Sequence, residues 1–300
     1  MVGSSIVRLL KKSDKVSALL ASTRKDTNLF LLNDTKRTIE KFSPDLIINA
    51  AARVGGINAN NTHRTEFILE NLKINMNILE SIVDYTNIKV INLGSSCIYP
   101  LDSPNPIKEE YFMDGKLEPT NSPYAMAKLT SIEIGRAINH QKGNKIINLM
   151  PTNLYGINDF FSENDSHVIP GLISRMSKAK NDNQKSFKIW GTGKPLREFL
   201  FVDDLADAIN FLLDVETEHD LLNVGSGEEI SIADLAVKIK NLLKFEGELE
   251  FDKNMPDGNP RKLLDSSLIN SLGWKSKTSL DEGLETTIEW FDRNFKLARK

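Results

Sequence analysis

The sequence places a tyrosine and a lysine four positions apart, at Tyr124 and Lys128, in the run YAMAK. Residues at i and i+4 share one face of an α-helix. An ammonium beside a phenol favours the phenolate, so we expect the pKa of Tyr124 to fall from about 10 toward neutrality. Such a tyrosine can exchange a proton with a carbonyl oxygen. A surface pair on a helix, without chemistry, has the same spacing.

A serine, Ser95, follows the apolar residues 90–93 in the run GSSCIYP. A hydroxyl just beyond a strand can complete, with Tyr124 and Lys128, a trio that polarises a carbonyl group. The alternative is an ordinary strand-to-loop turn in which the serine is a local hydrogen-bonding residue. Taken together, the three residues favour a nicotinamide-dependent enzyme that acts on a carbonyl group.

Alternating apolar runs and amphipathic patterns predict the elements that position this trio. The pattern predicts an α/β fold, a doubly wound, Rossmann-like parallel sheet with helices on both faces. Ligands bind such sheets at the carboxyl ends of the strands. Short strands are predicted at residues 16–20, 46–50, 90–93 and 146–149, and helices at residues 5–12, 36–42, 65–85, 123–141, 232–243 and 280–295.

Two residues near the start point to a dinucleotide. Gly3, just before the helix predicted at residues 5–12, suits the last glycine of a dinucleotide-binding turn, although a lone glycine does not define that turn. Arg24 follows the strand predicted at residues 16–20, where an NAD enzyme places a carboxylate on the ribose. An arginine accommodates a 2′-phosphate instead, so the sequence favours NADP(H). An ordinary exposed arginine is the alternative.

Residues 1–155 are therefore predicted to form an NADP-binding, Rossmann-like domain. From about residue 151 the loops lengthen, and Pro and Gly recur. Residues 156–300 are predicted to form mainly a smaller α/β substrate-binding region, with some segments returning to the first domain.

Composition argues against several other classes of protein. The net charge of −3 over 300 residues does not indicate a nucleic-acid surface. Apolar runs fall short of the roughly 20 residues that span a bilayer. The single cysteine, Cys97, excludes an internal disulfide and fits a reducing compartment, so the cytoplasm is expected. The four histidines show no metal-ligand spacing, and no metal is expected.

Further runs are residues 50–57 (AAARVGGI), 60–62 (NNT), 118–121 (EPTN), 151–156 (PTNLYG), 166–170 (SHVIP), 190–193 (WGTG), 197–199 (REF), 256–258 (PDG) and 260–265 (PRKLLD). With GSSCIYP, they resemble the GDP-L-fucose synthase family, epimerase–reductases of the extended short-chain dehydrogenases/reductases. The resemblance covers essentially the whole chain. The tyrosine–lysine pair alone indicates only the superfamily, whereas the combination is far more specific.

The resemblance implies a reaction. GDP-4-keto-6-deoxy-D-mannose would be inverted at both carbons beside its ketone and then reduced with NADPH to GDP-L-fucose. It also implies a homodimer formed through the helices predicted at residues 65–85 and 123–141.

The resemblance also implies a role for each matching residue. Ser95, Tyr124 and Lys128 would be the reductase trio, and Cys97 and His167 the epimerisation base and acid. Residues implied at the cofactor are Gly3, Arg24, Ser95, Ser96, Tyr124, Lys128, Pro151, Thr152, Asn153, Leu154 and His167. Those implied at the GDP-sugar are Arg175, Trp190, Arg197 and Asp257, with Arg261 and Lys262 near the diphosphate.

The sequence departs from the family at its start. The family begins with a strand and a Gly-x-x-Gly-x-x-Gly turn, and Met1 falls inside that turn. We expect a misplaced start or a fragmentary sequence, with a short, impaired paralogue as the alternative. Residues 157–161 also lack the family's Pro-rich loop.

Two rival functions stay open. One is a sugar-nucleotide 4-epimerase or 4,6-dehydratase of the same superfamily. A dehydratase is expected to carry an acidic pair where Ser96 and Cys97 stand, and a 4-epimerase would not need Cys97 together with His167. The other is a non-catalytic protein that keeps the fold and binds a nucleotide-sugar or a partner.

Overall fold

The computed structural model describes residues 1–162, 166–255 and 257–295, so Pro256 of the PDG run lies outside the described residues. The strands are β1 Leu46–Asn49, β2 Lys89–Leu93, β3 Lys145–Pro151, β4 Asn153–Tyr155, β5 Ser186–Trp190, β6 Leu196–Phe201, β7 Leu221–Val224, β8 Glu229–Ser231, β9 Glu248–Asp252 and β10 Arg261–Lys262. The helices are α1 Val2–Leu10, α2 Leu32–Phe42, α3 Ile57–Thr62, α4 Arg64–Ser81, α5 Ser122–Lys142, α6 Val168–Asn181, α7 Val202–Phe211, α8 Ile232–Leu243, α9 Ser267–Leu272 and α10 Leu280–Phe295. Short 3₁₀ turns occupy Ser96–Ile98 and Glu109–Tyr111.

β1, β2, β3 and β7 form, in that order, a fully parallel four-stranded sheet. Successive side chains of its central strands point to opposite faces, as strand geometry requires. Val90 and Ile146 pack with α2, α4 and α5, whereas Ile91 and Ile147 pack with α1 and α7. Helices therefore cover both faces, and the prediction of a doubly wound, Rossmann-like α/β fold is confirmed.

A row of asparagines crosses this sheet. Asn49, Asn92 and Asn148 occupy facing positions on β1, β2 and β3, and all three are buried. Asn49 Nδ2 donates to Asn92 Oδ1 at 2.8 Å, and Asn92 Nδ2 donates to Asn148 Oδ1 at 3.0 Å. Buried amides are costly unless they are hydrogen-bonded, so the row favours this register over a slip of one residue.

Most predicted elements are confirmed to within a few residues, and the helices predicted at 232–243 and 280–295 coincide with α8 and α10. The helix predicted at residues 5–12 begins earlier, at Val2, so Gly3 lies in its first turn. The prediction of a strand at residues 16–20 is wrong. A strand needs a neighbour for its N–H and C=O groups, and within the described chain none pairs with this segment. Leu19 and Leu20 are accordingly exposed.

The second half of the chain builds another core. β4, β6 and β10 pair in parallel, β8 is antiparallel to β6, and β5 pairs with β9. Side chains of α6, α8 and α10 pack around Phe187 and Phe199 of these strands. β3 leads into β4 through Thr152, so this stretch crosses from the first sheet to the second. Within the described ranges, no helix is long and apolar enough to cross a membrane.

Candidate active site

The loop after β2 is held tightly against the end of β3. The N–H of Gly94 donates to the main-chain oxygen of Leu149 at 2.8 Å. A β-carbon on Gly94 would lie 1.9 Å from Cε of Met150, so a side chain at Gly94 would force the Met150 side chain to move. Ser95 and Cys97 follow directly and are thereby placed at the carboxyl edge of the sheet.

Tyr124 and Lys128 lie in the first half of α5, which packs against α4. Lys128 is buried, and its Nζ donates to the main-chain oxygen of Leu93 at 2.6 Å. The same Nζ is 5.8 Å from the centroid of the Tyr124 ring, and that ring packs edge-on against Phe67 at 6.2 Å. The Ser95 side chain lies close enough to the Tyr124 phenol for hydrogen bonding to lower the pKa of Tyr124. The structure therefore brings the three residues of the predicted trio together.

The charges in this trio differ from the sequence-based expectation. Burial raises the pKa of Tyr124 above its ordinary value, a negative charge on Cys97 raises it further, and the hydrogen bond with Ser95 opposes the rise. Burial also lowers the pKa of Lys128 to about 8. The predicted lowering of the Tyr124 pKa is therefore wrong for this structure, because desolvation dominates and the ammonium is directed at Leu93. A phenol with a raised pKa is a proton donor at neutral pH.

Cys97 lies half-buried in the 3₁₀ turn Ser96–Ile98, and its N–H donates to Ser95 Oγ at 3.3 Å. Two donors from distant segments reach its sulfur. Asn121 Nδ2 is 3.6 Å from Sγ, and Lys262 Nζ is 3.8 Å from it. The sulfur is therefore contacted by an amide and an ammonium donor from two different segments.

His167 is the N-cap residue of α6. Its ring is accessible at the surface, yet nearby protein atoms displace enough water to lower the pKa of His167 below its ordinary value. Among the described residues, no hydrogen bond or ion pair joins His167 to Cys97.

Of the four residues assigned to the sugar nucleotide, Arg175 and Trp190 are in contact, and Arg197 lies near enough to Asp257 for their charges to interact. The Arg175 guanidinium lies 4.9 Å from the centroid of the Trp190 ring, which is 47% exposed. Burial lowers the pKa of Arg197, and the nearby charge of Asp257 opposes that lowering. Asp257 also accepts the N–H of Thr192 at 2.6 Å, two residues beyond Trp190. The pairs are therefore joined through the turn that follows β5.

The residues assigned to the cofactor lie mainly at the carboxyl edge of the first sheet. Gly3 is in the first turn of α1, and a β-carbon there would lie 3.9 Å from that of Ala50, directly after β1. Arg24 is exposed in a turn at residues 24–26. Ser96 after β2 is buried, as are Pro151 at the end of β3 and Thr152 after it, whereas Asn153 and Leu154 in β4 are half-buried.

This arrangement suits an anionic dinucleotide. α1 begins beside the end of β1, and the first N–H groups of a helix have no partner within the helix and favour negative charge. Arg24 adds an exposed cation after residues 16–20. Beside Cys97, Oδ1 of Asn121 is buried without a hydrogen-bond partner in the described chain, which provides an acceptor for a polar ligand.

Two features of the site were not predicted. Lys262 contacts Cys97, although the two residues are 165 positions apart. Glu198 is fully buried, and its carboxylate accepts the N–H groups of Gly227 and Leu264 at 2.8 and 3.0 Å. Both residues lie in runs that carried the resemblance, REF and PRKLLD, but neither run shows what its members touch.

Comparison with known proteins identifies the class. The family model for the NAD dependent epimerase/dehydratase family matches residues 1–225, and the chain belongs to that family. It is 45% identical to GDP-L-fucose synthase 1 of Arabidopsis thaliana over 98% of this chain and 91% of that protein. It is 40% identical to the GDP-L-fucose synthase of Escherichia coli (strain K12), over 98% and 94% respectively. Within the wider family, the chain therefore belongs to the GDP-L-fucose synthases.

A solved structure agrees with this assignment. The crystal structure of a GDP-L-fucose synthetase from Naegleria fowleri bound to NADP is similar to this chain with a TM-score of 0.89 and 29% sequence identity. The similarity covers 100% of this chain and 93% of that one. The two proteins therefore share the whole described architecture.

Proposed function

We propose that this chain converts GDP-4-keto-6-deoxy-D-mannose to GDP-L-fucose, by 3,5-epimerisation followed by NADPH-dependent reduction of the 4-ketone. The observation that carries the proposal is the placing of Cys97 on the same loop as Ser95, beside half-buried Tyr124 and buried Lys128. A reductase alone needs the trio, whereas an epimerase–reductase also needs a proton acceptor next to it.

In the proposed epimerisation, the ketone acidifies the hydrogen on each neighbouring carbon. The Cys97 thiolate takes one such proton, so a C–H bond breaks, an S–H bond forms, and the electron pair moves to the ketone oxygen. Ser95 and Tyr124 hydrogen-bond that oxygen and stabilise its charge. His167 then returns a proton to the opposite face, which inverts the carbon. The lowered pKa of His167 makes its protonated form a stronger acid.

In the proposed reduction, Tyr124 donates its phenolic proton to the ketone oxygen. Its raised pKa keeps that proton in place until the oxygen gains negative charge. NADPH, when bound, supplies the hydride for the ketone carbon. The residues proposed to hold it are the first turn of α1 at Gly3, Arg24 for the 2′-phosphate, Ser95, Ser96, Tyr124, Lys128, Pro151, Thr152, Asn153, Leu154 and His167.

The proposed site for the GDP moiety is the group formed by Arg175, Trp190, Arg197 and Asp257. Exposed Trp190 offers an aromatic face for a base, and the two arginines offer charge for a diphosphate. Because burial already makes the Arg197 charge costly, an anionic ligand there would be favourable.

We also propose a homodimer in the cytoplasm. α4 and α5 pack side by side and expose apolar side chains on their outer surface, at Leu69, Met76 and Met126. Leu69 and Met76 are seven positions apart, so they share one face of α4. Light scattering is expected to give a dimer for the wild type and a monomer for Leu69→Glu/Met76→Glu. A monomeric wild type would contradict the proposal. With a net charge of −3, no nucleic-acid partner is proposed.

The function is tested by running the reaction in heavy water. The wild type is expected to incorporate deuterium at both ring carbons beside the ketone, as read by mass spectrometry. Cys97→Ser is expected to lose this exchange while still reducing the unepimerised ketone, since Ser95, Tyr124 and Lys128 remain. Exchange at the wild-type rate in Cys97→Ser would refute the proposed role of Cys97.

A further inference from the structure

Lys262 reaches Cys97 from a different part of the chain. It lies in β10, where it pairs with Arg197 of β6, and its Nζ is 3.8 Å from the sulfur. Its side chain is half-buried. Among the described residues, no carboxylate forms an ion pair with Lys262. Within the described chain, its ammonium instead contacts the sulfur of Cys97.

The main chain after Lys262 is fixed by hydrogen bonds on both sides. The N–H of Leu263 donates to Asn105 Oδ1 at 2.8 Å, and the N–H of Leu264 donates to the buried carboxylate of Glu198 at 3.0 Å. The oxygen of Leu263 accepts the N–H of Ile107 at 2.8 Å. A lysine on a segment whose main chain is already ordered loses less conformational entropy on making a contact than a lysine on a flexible loop.

A second contact of Cys97 supports the same interpretation. Asn121 Nδ2 approaches the sulfur at 3.6 Å, so the sulfur is contacted by an amide donor as well as by an ammonium. No described acidic side chain makes a hydrogen bond with that sulfur. An environment of donors without carboxylates stabilises a thiolate relative to a thiol.

We propose that Lys262 is a positioning residue whose ammonium stabilises Cys97 as a thiolate and fixes its orientation for proton abstraction. This rests on the proposed function, in which Cys97 is the base, but it makes a separate claim about the free enzyme. Lys262 itself would not accept the substrate proton. Its charge would raise the fraction of Cys97 that is ready to accept one.

The chain suits a direct test, because Cys97 is its single cysteine. Iodoacetamide reacts with the thiolate, so its incorporation at neutral pH, followed by mass spectrometry without substrate, reports the thiolate present. Lys262→Met is expected to slow alkylation by about threefold or more, since lower thiolate content is only partly offset by greater intrinsic nucleophilicity. Lys262→Arg keeps a cation and is expected to stay within about twofold of the wild type.

Lys142→Met is the matched control. Lys142 is exposed at the far end of α5, about 27 Å along the helix axis from Tyr124, and its loss is expected to leave alkylation unchanged. Equal alkylation rates in Lys262→Met and the wild type would overturn the inference, whatever the enzyme's activity. If alkylation falls but the wild type does not exchange deuterium into the ketone sugar, the inference stands and the proposed function fails.

Discussion

The Nζ of Lys128 donates to the main-chain oxygen of Leu93 at 2.6 Å and lies 5.8 Å from the centroid of the Tyr124 ring. The lysine is thus attached to the last residue of β2, immediately before the loop that carries Ser95 and Cys97. α5 and the carboxyl end of β2 are therefore joined by a buried cation at the point where the trio assembles.

This buried lysine gives a pH prediction. The pKa of Lys128 is lowered to about 8, so its ammonium becomes neutral as the pH rises through that value. We expect ketone reduction to decline over the same range, because the cation beside Tyr124 disappears. Initial rates of NADPH oxidation from about pH 6 to 10 measure it. Lys128→Met is expected to be about 10²-fold slower at neutral pH and to lack this decline. An identical decline in Lys128→Met would assign it to another group.

Removing the phenolic hydroxyl of Tyr124 should separate the epimerisation from the ketone reduction. Tyr124→Phe is expected to slow reduction by about 10²- to 10⁴-fold, because the ketone oxygen loses its proton donor. Deuterium exchange beside the ketone should fall much less, since Ser95 can still hydrogen-bond the enolate oxygen and Cys97 is unchanged. Stopped reactions analysed by mass spectrometry report both processes in one sample. Normal NADPH turnover in Tyr124→Phe would exclude it as the donor.

Glu198 is predicted to be important for stability as well as for the site. Glu198→Ala leaves the buried N–H groups of Gly227 and Leu264 without their acceptor, at about 1–3 kcal/mol for each. The free energy of unfolding, from urea titration, should fall accordingly. Glu216→Ala is the control, because Glu216 is exposed in a surface ion pair with Lys145 and its removal should change nothing measurable. Equal free energies of unfolding for Glu198→Ala and the wild type would contradict the stabilising role of the Glu198 carboxylate.

The elements that were predicted largely match the structure because their signals are local. Amphipathic spacing located α8 and α10 at their observed bounds, and apolar runs located β1, β2 and β3 to within a few residues. Residues 16–20 have the composition of a strand, but strand formation depends on a neighbouring strand that a local pattern does not specify.

The predicted trio assembles for a similar local reason, since Tyr124 and Lys128 share one helix and Ser95 follows one strand. Contacts between segments that are distant in the sequence were harder to predict. The approach of Lys262 to Cys97 depends on how β10 pairs with β6, and the asparagine row depends on the register of three strands. The direction of the Tyr124 pKa was mispredicted because burial, which outweighs the nearby ammonium, is a property of the packed structure.

The central claim is tested most directly by the stereochemistry of the product. The purified chain is incubated with GDP-4-keto-6-deoxy-D-mannose and NADPH, and the sugar nucleotide formed is identified by nuclear magnetic resonance. We predict GDP-L-fucose, inverted at both carbons beside the former ketone. A 6-deoxy-D-sugar nucleotide reduced without inversion, or a ketone left unreduced while NADPH persists, would contradict the account.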